Sequence, residues 1–302
     1  MPATASAAPR VEVDGRSFRL GGQKFHVKGV TYGPFAPDAS GQTFATPERT
    51  ALDFALVQEL GANVVRLYHV PPPWLLDLAA GHGLKVMVDV PWNQHLCFLD
   101  SREQRASALA AVRRAVTVCA GHPAVLALSL ANEITPDILR WSGARAVAEF
   151  LGRLAFEAHR LDPKCLVTYS NFPPTEFLQP PGMDFVCFNV YLHQQPQFRS
   201  YLARLQLLAD ARPLLLGEFG MDSRREGEAR KCAFLTWQIE EAFRAGLAGA
   251  VVFSFTDDWW RGGQPILDWT LGLTTRDRQP KDSFRAVKDW QDKAAYHYQT
   301  TF

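Results

Sequence analysis

Leu126-Ala127-Leu128-Ser129-Leu130-Ala131-Asn132-Glu133-Ile134 is the stretch that decides how this chain is read. It begins as an apolar, strand-like run and ends in an amide and a carboxylate side by side. A continuous apolar run of this length, closed by polar groups, reads as a strand buried on both faces. In barrels of such strands the working residues sit at the carboxyl ends, where the chain turns into loops. A second run, Pro213-Leu214-Leu215-Leu216-Gly217-Glu218-Phe219-Gly220, repeats the design with Glu218 at the exit.

Outward from these two runs, strands and helices alternate. Strands are expected over 27–32, 63–68, 85–90, 125–131, 166–170, 185–190, 214–218 and 250–255. Helix-like segments lie between them, among them 47–60, 102–119, 141–161 and 227–245. Thr46-Pro47-Glu48-Arg49 is a helix start, a capping hydroxyl followed by proline at the first position. Phe150, Leu154 and Ala158 show the spacing of a buried helical stripe. Eight strands alternating with helices suit a closed (β/α)8 TIM barrel. An open doubly wound sheet would want a glycine-rich phosphate turn after its first strand, and Gly29-Val30-Thr31-Tyr32-Gly33-Pro34 is no such fingerprint. Ahead of the barrel, 11–25 alternates apolar and polar residues around Asp14-Gly15 and Gly21-Gly22, which reads as one or two β-hairpins able to cover the N-terminal mouth. The expected organisation is a disordered lead over 1–10, hairpin and barrel over 11–293, and a tail over 294–302. The tail, with Tyr296-His297-Tyr298, reads as frayed or as the stub of a connection to a downstream domain.

Composition narrows the classes of function. The 302 residues carry a formal net charge of +1 and no Lys/Arg block, against a nucleic-acid surface. No apolar run is long enough to span a bilayer. The Ala/Pro/Ser-rich start lacks the apolar core of a secretory signal, so a cytoplasmic location is expected. Cys97, Cys119, Cys165, Cys187 and Cys232 have no metal-type spacing and read as buried free thiols. No metal and no cofactor is expected.

The strand ends collect a polar and aromatic ring. Strand 1 gives Tyr32; strand 2 gives Arg66, Tyr68 and His69; strand 3 gives Asp89, Trp92 and His95. Strand 4 gives Asn132 and Glu133, strand 6 Asn189, Tyr191 and His193, and strand 7 Glu218. Strand 8 gives Asp257, Asp258, Trp259 and Trp260. Aromatic faces beside hydrogen-bonding groups suit sugars. Two carboxylates on such a ring are the minimum equipment for cleaving a glycosidic bond.

The chain resembles the retaining glycoside hydrolases built on (β/α)8 barrels with glutamates on strands 4 and 7. It is most similar to the barrel domain of glycoside hydrolase family 2, with features of the fungal β-1,3-glucanosyltransferases. Phe25-His26-Val27-Lys28-Gly29-Val30 resembles the lead into strand 1, and Asn63 to His69 resembles strand 2 with its arginine. Gly121-His122-Pro123-Ala124-Val125 and Asn132-Glu133 resemble strand 4. Arg212-Pro213 through Glu218-Phe219-Gly220 resembles the nucleophile strand, and Gly272-Leu273, Arg278 and Pro280-Lys281 the closing segment. The resemblance implies that Glu133 is the general acid/base and Glu218 the nucleophile. It implies that Arg66 contacts the Glu218 carboxylate and lowers its pKa, that Asn132 bonds a sugar hydroxyl, and that Tyr191 bonds Glu218. His69, Trp92, Asp257, Trp259 and Trp260 complete the expected sugar-contacting set.

Two departures stand out. Phe253 takes the place where the family usually has a tryptophan, and the family's β-sandwich domains are missing from this length of chain. The expected activity is a retaining β-glycosidase or transglycosylase acting on a β-linked glucan or related oligosaccharide. The alternative is a catalytically silent carbohydrate-binding or regulatory barrel associated with polysaccharide synthesis. Plainer readings stand beside the site. Arg66 also reads as a structural ion pair, Tyr191 and the tryptophans as packing, and Asp257 and Asp258 as caps of the following turn.

Overall fold

The computed structural model describes residues 9–290. Three short strands, β1 (Val11–Asp14), β2 (Ser17–Leu20) and β3 (Gln23–Phe25), form an antiparallel sheet with turns at the two glycine sites. Eight parallel strands follow: β4 (Val27–Thr31), β5 (Val64–Leu67), β6 (Lys85–Asp89), β7 (Val125–Asn132), β8 (Val167–Asn171), β9 (Val186–Asn189), β10 (Leu214–Phe219) and β11 (Gly249–Val252). They close in sequence order, with β11 pairing back to β4. A two-stranded hairpin, β12 (Trp260–Arg261) and β13 (Gln264–Pro265), rises from the loop after β11.

The helices cover the ring: α1 (Pro47–Glu59), α2 (Pro73–Gly81), α3 (Arg102–Cys119), α4 (Pro136–Ser142), α5 (Ala144–Leu161), α6 (Gln195–Ala209), α7 (Ser223–Glu226) and α8 (Glu228–Arg244). A further helical run occupies 282–290. Helix α1 starts where the sequence places it, with the Thr46 hydroxyl accepting from the Arg49 amide at 3.3 Å. The segment expected as one helix over 141–161 is two, because Gly143 at φ 84° ends α4 and redirects the chain into α5. The eighth strand stops at Val252 rather than running to 255.

Two smaller expectations change. Arg10, placed in the disordered lead, is ordered by an ion pair to Asp162 at 2.8 Å. Cys97 is exposed and Cys232 half-buried, so only Cys119, Cys165 and Cys187 are core thiols. The tail over 294–302 lies outside the described residues. Among the described residues no helix is long and apolar enough to cross a membrane.

The N-terminal sheet closes one mouth of the barrel. Val11 and Phe18 are buried among lumen side chains that include Val64, Met87, Phe185 and Leu215, and Phe18 meets Phe185 edge-on at 5.2 Å. At the other mouth, two strands break the period of two that governs a strand. In β10, Leu215 points into the lumen while Leu214 and Leu216 join the outer core. Strict alternation would then send Glu218 outward. A register irregularity between Leu216 and Glu218 turns it inward instead. A second irregularity, between Ser129 and Asn132 of β7, does the same for Asn132. Bulges re-aim side chains in this way beside active sites.

Candidate active site

Arg66 is the hub of the open mouth. It is 0% exposed, and each of its five N–H donors has an acceptor. Nε and Nη2 fork onto Asp89 at 3.1 and 2.6 Å. Nη2 also reaches Asn132 Oδ1 at 3.0 Å, and Nη1 reaches Asn189 Oδ1 and the Gly217 carbonyl at 3.0 and 2.9 Å. Glu218 Oε1 stands 3.1 Å from Nη1 as an ion-pair partner. The guanidinium leaves no room beside β10: a methyl at Gly217 would lie 2.9 Å from Nη1 and 2.5 Å from Cys187 Sγ. A glycine is therefore required next to Glu218.

Glu218 takes its hydrogen bonds from two tyrosines. The Tyr68 hydroxyl donates to Oε1 at 2.8 Å and the Tyr191 hydroxyl to Oε2 at 2.9 Å. Both carboxylate oxygens are thereby fixed. Burial pushes the Glu218 carboxyl up to about 7, with the charge on Glu133 adding to the rise. Arg66 and the two hydroxyls pull the other way. The arginine does lower it, as expected, but desolvation is the larger effect. Asp89 is raised by the same burial against the same arginine.

Glu133 follows β7 directly at φ 52°, a left-handed conformation that costs a non-glycine residue about 1–3 kcal/mol. Its amide donates to the Ser170 carbonyl at 2.9 Å, and its Oε1 accepts from Asn189 Nδ2 at 2.8 Å. Asn189 also donates to Asn132 Oδ1 at 3.0 Å. One amide thus ties the Glu133 carboxylate to the arginine that faces Glu218.

Both glutamates line a single cavity of about 810 Å³, ample for a chain of sugar units. Asn132, Tyr191, Trp259 and Trp260 line it as expected, and His95 joins them. Arg66 lies beneath the floor. The other expected contacts are elsewhere. Trp92 donates its indole N–H to the Leu130 carbonyl at 2.7 Å and packs edge-on against Phe98. Asp257 pairs with Lys281 at 2.7 Å and accepts from the Gly272 amide, as a cap does. His69 is half-buried within reach of the Asp89 charge. Asp258 pairs with Arg278, and His193 packs on Phe234.

Several lining groups lie outside the expected sugar-contacting set, among them Tyr68, Asn189, Trp269 and Phe172. Tyr68 and Asn189 were visible as strand-end residues, but their bonds to the two glutamates depend on the bulges. Trp269 and Phe172 come from loops without periodicity. Phe253 lines the cavity, with Trp259 4.8 Å and Trp269 6.2 Å away between ring centres. Among the described residues no group of three or more His, Cys, Asp or Glu side chains is placed to hold a metal ion.

Comparison with known proteins agrees with the barrel fold. The chain is similar in fold to the Ruminococcus gnavus β-glucuronidase solved with a C6-substituted uronic isofagomine, at a TM-score of 0.76 and 22% identity over 93% of this chain and 52% of that one. It is similar to Bacteroides uniformis β-glucuronidase 2, bound covalently to a cyclophellitol-6-carboxylate aziridine, at a TM-score of 0.78 and 18% identity over 93% of this chain and 37% of that one. The chain thus spans about half of the first relative and less of the second. It has no match among curated proteins. The family signature described as glycosyl hydrolases family 2, TIM barrel domain, matches residues 11–296. The chain belongs to glycosyl hydrolase family 2, of which it carries the TIM-barrel domain.

Proposed function

We propose that this barrel is a retaining β-glycosidase that works by double displacement on a β-linked glucan or related oligosaccharide. The observation that carries the reading is the pair of glutamates on one cavity, one held by two tyrosines and an arginine, the other by Asn189. Glu218, ionised, attacks the anomeric carbon as Glu133 gives its proton to the leaving oxygen, and a glycosyl ester forms on Glu218. Glu133 then takes a proton from water, or from a sugar hydroxyl in transglycosylation, and the ester is released with the original configuration. Tyr68 and Tyr191 point the carboxylate, and the buried guanidinium stabilises its charge. Trp259, Trp260 and Trp269 supply faces for sugar C–H surfaces.

A second reading, a β-glucuronide as substrate, has one observation in its favour. Arg261 lines the cavity and has no carboxylate within ion-pair distance among the described residues, so a cation is free to meet a uronate. The solved relatives are β-glucuronidases. Parallel assays with aryl β-glucosides and aryl β-glucuronides separate the two.

The test of the mechanism is Glu218→Ala with azide present. Activity is expected to drop by roughly 10⁴-fold or more and to recover with azide, which yields the α-glycosyl azide. A folded variant that azide does not rescue removes Glu218 from the role. A parent protein that binds oligosaccharides but turns over none across a broad panel supports the silent-barrel alternative.

A further inference from the structure

The loops that carry the acid/base side of the cavity also carry an aromatic surface that the catalytic scheme leaves unused. Trp141, the penultimate residue of α4, is 69% exposed. An indole so exposed would ordinarily swing freely. Here its N–H donates to Asp100 Oδ2 at 2.6 Å, which pins the edge of the ring and leaves its surface in water. Asp100 ends the loop after β6, and that loop is itself ordered by Asn93 donating to Gln104 at 3.0 Å and by Gln94 accepting from the Asn132 amide at 2.9 Å.

Both supports of the indole begin at the cavity wall. His95 of the β6 loop and Thr135, the N-cap of α4, line the cavity beside Glu133. Leu96, the residue after His95, is 53% exposed. From Thr135 to Trp141 is six residues of helix, about 9 Å. That is close to the length of two sugar units beyond the catalytic cavity. The general acid faces the leaving-group oxygen, so this surface lies on the leaving-group side.

We propose that Trp141 is a distal subsite for the leaving-group end of an extended sugar chain. The inference rests on the glycosidase reading and deepens it. The substrate is a chain several units long rather than a short glycoside, and the indole stacks a sugar ring remote from the bond that breaks. Because the ring is already fixed by Asp100, little freedom is lost on stacking.

The test uses linear β-1,3- and β-1,4-linked gluco-oligosaccharides of two to six units and an aryl β-glycoside. Trp141→Ala is expected to raise KM about tenfold for the longest oligosaccharide, and to leave kcat and the aryl glycoside unchanged. Trp141→Phe, which keeps a face but loses the bond to Asp100, is expected to fall between. Equal KM changes for long and short substrates, or none for either, overturn the proposal. Binding of the same series to Glu218→Gln separates this claim from the catalytic one. With turnover removed, affinity is expected to rise with chain length in the Trp141 protein and to flatten in the Trp141→Ala double variant. A flat series in both, or no binding by any member, rejects the subsite whatever the fate of the catalytic scheme.

Discussion

The same eight strands finish differently at their two mouths. At the N-terminal mouth, Val11 and Phe18 fill the lumen with hydrocarbon. At the other, the lumen holds Arg66, Asp89, Asn132, Asn189 and Glu218, and two strands break their alternation to present them. Hydrophobic burial stabilises the first mouth without any demand on exact geometry. The second removes several charges from water, and it is tolerable only because nearly every donor and acceptor is matched. Stability and chemistry are thus assigned to opposite ends of one lumen.

Arg66→Met breaks that division most severely. It leaves Asp89 buried without its partner, so unfolding by urea should show a loss of about 3–5 kcal/mol, with kcat/KM down roughly 10²–10³-fold. Adding Asp89→Asn should restore much of the stability and none of the activity. Phe18→Ala probes the closed mouth. A loss of about 3–5 kcal/mol is expected there too, but with kcat/KM of the folded protein unchanged. A matching loss of activity would mean that the two ends are coupled.

Gly217→Ala is a smaller perturbation at the boundary. The added methyl displaces the Arg66 guanidinium or the Cys187 thiol, at a cost of about 1–3 kcal/mol, and kcat should fall more than KM rises. Tyr191→Phe is the gentlest change. Losing one donor to a charged acceptor is expected to cost about 1.5 kcal/mol, near tenfold in kcat/KM. It also has a sign in pH. In the proposed mechanism Glu218 must be ionised to attack, and its carboxyl is pushed up to about 7, so the rate should fall as pH drops through that value. The tyrosine hydroxyl favours the ionised form, so its removal should shift this acid limb to higher pH. An unmoved limb would detach Glu218 from the pH profile.

What could be read from the residues follows the same division. Strand positions and the two glutamates are legible because doubly buried strands are continuous apolar runs and their ends are marked by charge. The approach of Arg66 to Glu218 is legible through resemblance. The hydrogen bonds of Tyr68 and Asn189 are not, since the bulges that aim their partners leave no trace beyond a glycine at position 217. Trp92 and Asp257 were misplaced for a related reason. Past a strand end the period of two lapses, and Asp257 finds Lys281 only after the chain has looped back. The split at Gly143 was signalled by a glycine inside a helical pattern.

The most direct measurement of the central claim is the anomeric configuration of the first product, followed by proton NMR during hydrolysis of a β-glycoside by the unmodified protein. Double displacement by the two glutamates that line one cavity, as proposed, predicts that the β-anomer accumulates first and the α-anomer appears only by mutarotation. Initial release of the α-anomer would mean a single displacement by water, and Glu218 could not be the nucleophile.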